Sequence, residues 1–165
     1  MINETIAAFS LSQEGSRSYV TFGERNSSQI HGGVKSLVSF KQINEEWWTI
    51  DVEKFMYDYE MPGFEGSTDI AQAVIDTGTS LLGVPPEHHQ YIVALWKQTF
   101  GEEISCDQVV CFGKINKKTQ DCSEYTDRMQ PVQIMFDSES VFEIKPEGYT
   151  FIQENFCIFG IMEFA

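Results

Sequence analysis

The sequence predicts an all-β domain with one main helix. Short runs of apolar, β-branched and aromatic residues recur along the chain, and Gly-, Ser-, Asn- and Asp-containing stretches separate them. Only residues 86–100 combine helical periodicity with a proline at the start and a glycine, Gly101, directly after the end. These observations together favour a sheet-rich fold over a helical or an alternating α/β fold.

In each predicted strand, apolar residues either alternate with polar ones or form a continuous run. In chain order the predicted strands lie at 5–11, 17–22, 34–40, 47–55, 70–75, 132–136 and 141–144. Turn-forming residues at 13–16 separate the first two strands and predict a hairpin. Residues 137–140 predict a second hairpin between the last two strands. Trp47 and Trp48 are expected to pack in the core and at its rim, because paired aromatic residues usually do so.

The helix is predicted to present one face of mixed character, formed by His88, Ile92, Leu95, Trp96 and Thr99. His89 is expected to lean toward solvent. Neither of these two histidines has nearby partners in the sequence that would make a metal cluster, so we expect surface or packing roles for both.

Composition and charge exclude several classes of protein. Apolar residues make up 42% and aromatic residues 13%, which argues against a disordered or fibrous chain. The net charge is −14 with scattered acidic groups, so we expect neither a nucleic-acid partner nor a basic membrane-binding patch. No apolar run reaches the roughly 20 residues of a membrane helix. The opening residues lack the features of a signal peptide, so any such signal is expected upstream.

The stretch Asp76-Thr77-Gly78-Thr79-Ser80 carries the strongest chemical signal. It lies between two apolar runs, at a point where a buried strand breaks into a loop and can expose a carboxylate on a rigid base. Gly78 permits close approach of the backbone, and the threonine hydroxyls can hydrogen-bond the carboxylate. A plain turn after a strand is the alternative, since these residue types are common in turns.

The extended string 73–82, Ala-Val-Ile-Asp-Thr-Gly-Thr-Ser-Leu-Leu, resembles the second catalytic motif of the pepsin-like aspartic proteases. Other segments resemble the same lobe in the expected order, at 9–11, 18–23, 47–52, 85, 104–106, 131–136 and 157–160. The resemblance implies the C-terminal lobe of a pepsin-like acid protease.

The length of 165 residues suffices for one such lobe, whereas the family has two. Asp-Thr-Gly occurs once in the sequence. The stretches 69–71 and 137–139 also begin with aspartate, but they lack the glycine and are not a second copy of the motif. The Trp-Ile-Leu-Gly-Asp-like strand and the closing strand that the family carries after its last cysteine are not evident. We therefore expect residues 1–165 to form one pepsin-like C-terminal lobe without the N-terminal lobe and without the last strands.

The resemblance implies an aspartic endopeptidase that hydrolyses peptide bonds with a water held between two aspartates. Asp76 is then one catalytic aspartate, Gly78 steadies it through its N–H and meets the substrate backbone, Thr79 hydrogen-bonds its outer oxygen, and Thr77 braces the two catalytic loops. This chemistry uses no metal and no other cofactor. The implied partners are a peptide or protein substrate and the N-terminal lobe of the same enzyme.

Two other functional readings remain open at the level of sequence. The lobe could be a noncatalytic pseudo-protease module that binds other molecules, and a second Asp-Thr-Gly or Asp-Ser-Gly upstream of Met1 would argue against this. Alternatively, two copies could pair their Asp76 loops across a twofold axis, since self-complementary pairing is common.

Four cysteines, Cys106, Cys111, Cys122 and Cys157, permit two disulfides in three pairings. Their spacing does not match the paired Cys-x2-Cys of zinc sites. The resemblance to the family selects Cys106 with Cys157, which leaves Cys111 with Cys122 in an insertion near 107–125. Free buried cysteines are the alternative.

Disulfides indicate an oxidising compartment, and two N-glycosylation sequons, at Asn3 and Asn26, favour the same conclusion. A secreted or a lysosomal or vacuolar location is therefore expected.

Overall fold

The computed structural model describes residues 6–12, 18–24, 26–57 and 71–164, with the side chains of Gln29 and Ala71 excepted. It contains two compact units, residues 1–40 and residues 41–165. Each unit is described separately below.

The first unit contains an antiparallel hairpin of strand β1 (Ala7–Ser10) and strand β2 (Tyr19–Phe22). The first predicted hairpin is thus confirmed in its strands, and its turn at 13–16 lies outside the described residues. Two short 3-10 helices follow, at Ser27–Gln29 and Val34–Ser36.

The strand predicted at 34–40 is wrong. Gly32 and Gly33 have positive φ angles of 79° and 74°, which turn the chain sharply before this segment. Ser36 then donates its N–H and its hydroxyl to the carbonyl of Gly33, at 3.0 and 2.8 Å. These local bonds close a turn at Val34–Ser36. The rest of the predicted strand, residues 37–40, forms neither helix nor strand.

The second unit holds the remaining strands: β3 (Thr49–Val52), β4 (Lys54–Tyr57), β5 (Ala71–Val74), β6 (Leu82–Val84), β7 (Ile104–Cys106), β8 (Cys111–Lys114), β9 (Val132–Asp137), β10 (Ser140–Ile144), β11 (Thr150–Gln153), β12 (Phe156–Phe159) and β13 (Ile161–Glu163). Its helices are α1 (Pro86–Phe100), α2 (Ser123–Thr126) and α3 (Pro146–Tyr149). A short 3-10 turn, Gly101–Glu103, follows α1. The prediction of a mostly β fold with one main helix is confirmed.

The described strands of the second unit form four small sheets. Strand β3 pairs with β5. In a second sheet, β9 lies between β4 and β10. A third sheet has the strand order β11, β12, β8, β7, and all pairs in these three sheets are antiparallel. Strands β6 and β13 pair in parallel. The hairpin of β9 and β10 confirms the second predicted hairpin.

The core of this unit lies under α1. Trp96 is 1% exposed, and its ring meets the ring of Phe159 edge-on at 5.1 Å between centroids. Its indole N–H donates to the hydroxyl of Tyr57 at 2.6 Å, so the polar atom of this buried side chain is satisfied. Phe100 packs against Tyr125 at 5.5 Å. Burial of these aromatic rings holds the helix against β12.

The predicted face of α1 is partly wrong, because the buried residues are His89, Ile92, Trp96 and Phe100. The buried face is thus rotated from the predicted one, and Phe100, just before the terminating Gly101, belongs to it. His89 is 8% exposed rather than turned to solvent. His88 instead stacks on Phe55, with 5.8 Å between ring centroids.

The packing predicted for Trp47 and Trp48 is also wrong within this chain, since their side chains are 61% and 71% exposed. The backbone of this segment, in contrast, makes a structural hydrogen bond. The carbonyl of Trp48 accepts from the N–H of Ile75 at 2.8 Å.

The predicted disulfide pairing is wrong. The structure joins Cys106 to Cys111 and Cys122 to Cys157. Cys106 ends β7 and lies opposite Cys111, the first residue of β8, so the two side chains are neighbours across one ladder. Cys157 lies on β12, on the far side of β8. Two strand spacings amount to about 10 Å, which exceeds the Cα separation that a disulfide spans.

Candidate active site

Strand β5 leads directly to Asp76. Strand β5 pairs with β3 along its whole length, and its last residue, Val74, lies opposite Thr49. Thr49 is 3% exposed. The bond from Ile75 N–H to the Trp48 carbonyl continues this pairing one residue further. Asp76 is therefore the first residue beyond a fixed strand, and its side chain is exposed.

Both carboxylate oxygens of Asp76 accept hydrogen bonds from its own loop. The N–H of Gly78 donates to Oδ1 at 2.7 Å, and the Thr79 hydroxyl donates to Oδ2. These hydrogen bonds lower the pKa of Asp76, because both stabilise the ionised carboxylate. The Thr79 hydroxyl makes the larger contribution and the Gly78 N–H the smaller one. The loop thus holds an exposed carboxylate in a fixed orientation and favours its charge.

The remaining loop residues differ in their roles. A Cβ on Gly78 would lie 3.2 Å from Oδ1 of Asp76, so the glycine lets the N–H approach the carboxylate without crowding. Thr77 is exposed, and the structure gives its hydroxyl no hydrogen-bond partner among the described residues. The catalytic roles of Asp76, Thr77, Gly78 and Thr79 remain predictions.

The chain leaving the loop is anchored by backbone contacts that sequence reasoning missed. The N–H of Leu82 donates to the carbonyl of Gly160 at 2.8 Å, and β6 continues as the parallel partner of β13. A Cβ on Gly160 would lie 2.8 Å from the carbonyl oxygen of Tyr149, and one on Gly83 would lie 3.0 Å from Cβ of Phe164. Glycine inside an apolar strand is the signal that could have identified both contacts.

Three other described aspartates also accept hydrogen bonds within local turns. The pKa values of Asp107, Asp121 and Asp137 are lowered by hydrogen bonds from nearby backbone N–H or side-chain groups. At Asp107 the N–H groups of Val109 and Val110 both bind Oδ1, at 2.8 and 2.9 Å. Asp76 has a separate donor on each oxygen, and Asp107 provides a matched control for it.

Metal binding receives no support from the described part of the chain, where no group of three His, Cys, Asp or Glu side chains could hold an ion. His88 and His89 serve in packing, as described above. No helix among the described residues is long and apolar enough to cross a membrane.

A mostly β scaffold that presents one exposed Asp-Thr-Gly loop defines a lobe of the aspartic protease class. The family model of the eukaryotic aspartyl proteases matches residues 1–164, and the chain belongs to this family. The resemblance inferred from the Asp76 motif is thereby confirmed.

Several relatives carry the name gastricsin. The chain is 27% identical to gastricsin from Homo sapiens over 145 residues, which cover 84% of this chain and 33% of the relative. Gastricsin from Macaca fuscata fuscata is 26% identical over 84% of this chain and 34% of its own length. Gastricsin from Cavia porcellus is 28% identical over 71% of this chain and 26% of its own. The chain thus spans about a third of the length of the curated relatives that it matches.

Proposed function

We propose that this chain supplies one of the two catalytic aspartates of an aspartic endopeptidase, and that the N-terminal lobe of the same enzyme supplies the other. The observation that carries the proposal is the hydrogen bonding of Asp76, whose two oxygens are each held by a loop donor at the exposed end of an anchored strand. Family membership supports the reaction class. The substrates are peptides or proteins.

The proposal assigns Asp76 a defined part in such a reaction. Two carboxylates that share one proton hold a water between them, and aspartic proteases are the standard example of this arrangement. The donors of Thr79 and Gly78 favour the ionised form of Asp76. Asp76 then acts as the base that removes a proton from the water, while the partner aspartate donates to the carbonyl oxygen of the scissile bond.

The exposed Trp47, Trp48, Val74 and Ile75 flank the strand end that carries Asp76. Exposed apolar residues next to a functional loop commonly contact a partner. Their position is consistent with a second lobe beside the loop.

The two disulfides support an oxidising compartment, since such bonds form and persist there. A secreted or a lysosomal or vacuolar location is therefore part of the proposal. The acidic net charge of −14 would be partly neutralised in an acidic environment.

The test compares the isolated chain with the parent two-lobed protein on an acid-protease peptide, at about pH 3 to 6. The parent should cleave the peptide, and a pepstatin-type inhibitor should stop it. The isolated chain should be a monomer without turnover, because one carboxylate cannot act as both acid and base on one water. Inhibitor-sensitive turnover by the monomer would contradict the need for a second lobe. A parent protein that binds the peptide without cleaving it would favour the pseudo-protease alternative.

A further inference from the structure

The segment Asn26-Ser27-Ser28 is a sequon that the aspartic protease site does not use. It lies in the first unit, where all three side chains are exposed. Asn26 precedes the 3-10 helix Ser27–Gln29 and caps it. The second sequon of the chain, at Asn3, lies outside the described residues.

The sequon has a defined geometry. Oδ1 of Asn26 accepts the N–H of Ser28 at 3.2 Å and the Ser28 hydroxyl at 2.7 Å. The Ser28 hydroxyl, which makes this triplet an acceptor sequence, is therefore already in contact with the asparagine amide. Asn26 uses only Oδ1 in these bonds, and Nδ2 makes no hydrogen bond among the described residues. The residue is exposed.

We propose that Asn26 carries an N-linked glycan in the mature protein. The donor is an oligosaccharide linked to a lipid pyrophosphate. A bond forms between Nδ2 of Asn26 and the anomeric carbon of the first sugar, and the bond from that carbon to the pyrophosphate oxygen breaks. The lipid pyrophosphate leaves with the electron pair, and a base of the transferase takes the amide proton.

The exposed hairpin side chains of this unit explain what such a glycan would do. Phe9, Val20 and Phe22 are 53%, 43% and 68% exposed. A bulky, hydrated group a few residues from β2 would increase the solubility of this apolar part of the unit. The inference rests on the secretory location proposed above, because this transfer occurs only on chains that enter that pathway.

The experiment uses the full-length parent protein from a eukaryotic secretory host, in an Asn3→Gln background that leaves Asn26 as the one sequon within residues 1–165. Treatment with a glycosidase specific for N-linked sugars should lower its mass, and peptide mapping should place the glycan on Asn26. The glycan on the peptide that contains residue 26 should disappear in Asn26→Gln and in Ser28→Ala. It should persist in Ser28→Thr, which keeps the hydroxyl, and in the matched control Ser27→Ala.

Nonreducing mapping of the same samples separates the possible failures. An unglycosylated Asn26 in protein whose disulfides have formed would overturn the glycan and leave the proposed location intact. An unglycosylated Asn26 together with reduced cysteines would overturn both. Neither result bears on peptide hydrolysis, which is measured separately.

Discussion

The Thr79 hydroxyl donates a hydrogen bond to Oδ2 of Asp76, the carboxylate oxygen that the Gly78 N–H does not bind. This bond is the largest contribution to the lowered pKa of Asp76. Thr79 therefore helps to keep Asp76 ionised in acid. If Asp76 is the base of the proposed reaction, its ionisation determines where the acidic side of the activity profile lies.

Replacing Thr79 by valine in the two-lobed protein removes the donor at nearly constant volume. The pKa of Asp76 should then rise, so that Asp76 is protonated at a higher pH. The acidic limb of kcat/KM should move to higher pH, with a lower maximum. Thr79→Ser keeps the hydroxyl and should resemble the wild type. A Thr79→Val profile that coincides with the wild-type profile would show that this bond does not tune the carboxylate.

The pH dependence of stability should report a second carboxylate, Asp121. The pKa of Asp121 is lowered most by a hydrogen bond from the Thr119 hydroxyl, and then by bonds from the hydroxyl and the N–H of Ser123. A group whose folded pKa is lowered adds stability above its unfolded pKa of about 3.9, and this contribution is lost as the pH falls through the folded value. Asp121→Asn should therefore lower the melting temperature at neutral pH, and its difference from the wild type should shrink below about pH 4.

The matched control is Asp51→Asn, because Asp51 is exposed on β3 and its carboxylate accepts no hydrogen bond among the described residues. This variant should melt like the wild type at neutral pH. An Asp121→Asn difference that grew on acidification would contradict the assigned hydrogen bonds.

Nonreducing peptide mapping should link Cys106 to Cys111 and Cys122 to Cys157. The two bridges should also differ in strength, since they span 5 and 35 residues. The chain-entropy account gives about 2 kcal/mol for the short loop and about 4 kcal/mol for the long one. Paired Cys→Ala variants at 122 and 157 should therefore unfold at lower denaturant than those at 106 and 111. Recovery of a Cys106–Cys157 peptide would restore the pairing implied by the family resemblance and contradict the strand order.

The parts of the fold that follow from local patterns could be predicted from the sequence. The helix 86–100 has its proline and glycine signals at the observed ends. The turn between β9 and β10 lies at residues 138 and 139, within the predicted segment 137–140. The Asp76 loop could be identified because its residue types repeat a specific family string. Its position after a strand also followed from the apolar run before it.

The errors arise where partners distant in sequence decide the structure. The pairing of Cys106 depends on β8 lying between β7 and β12, and spacing along the chain does not reveal that order. His89 is buried because the helix face is set by the strands beneath it. The error at 34–40 has a local cause instead: the segment has apolar residues typical of a strand, but the preceding Gly32 and Gly33 and the Ser36 hydroxyl favour a turn. The backbone contact of Leu82 with Gly160 has no side-chain pattern to indicate it.

The turnover of Asp76→Asn in the two-lobed protein tests most directly whether Asp76 is a catalytic aspartate. An amide keeps the shape of the side chain but cannot exchange the proton that hydrolysis requires. Turnover should be abolished while the melting curve and peptide binding stay near those of the wild type. Asp107→Asn, which changes an aspartate with similar turn geometry, should keep its activity. Wild-type turnover in Asp76→Asn, or equal losses in both variants, would contradict a catalytic role for Asp76.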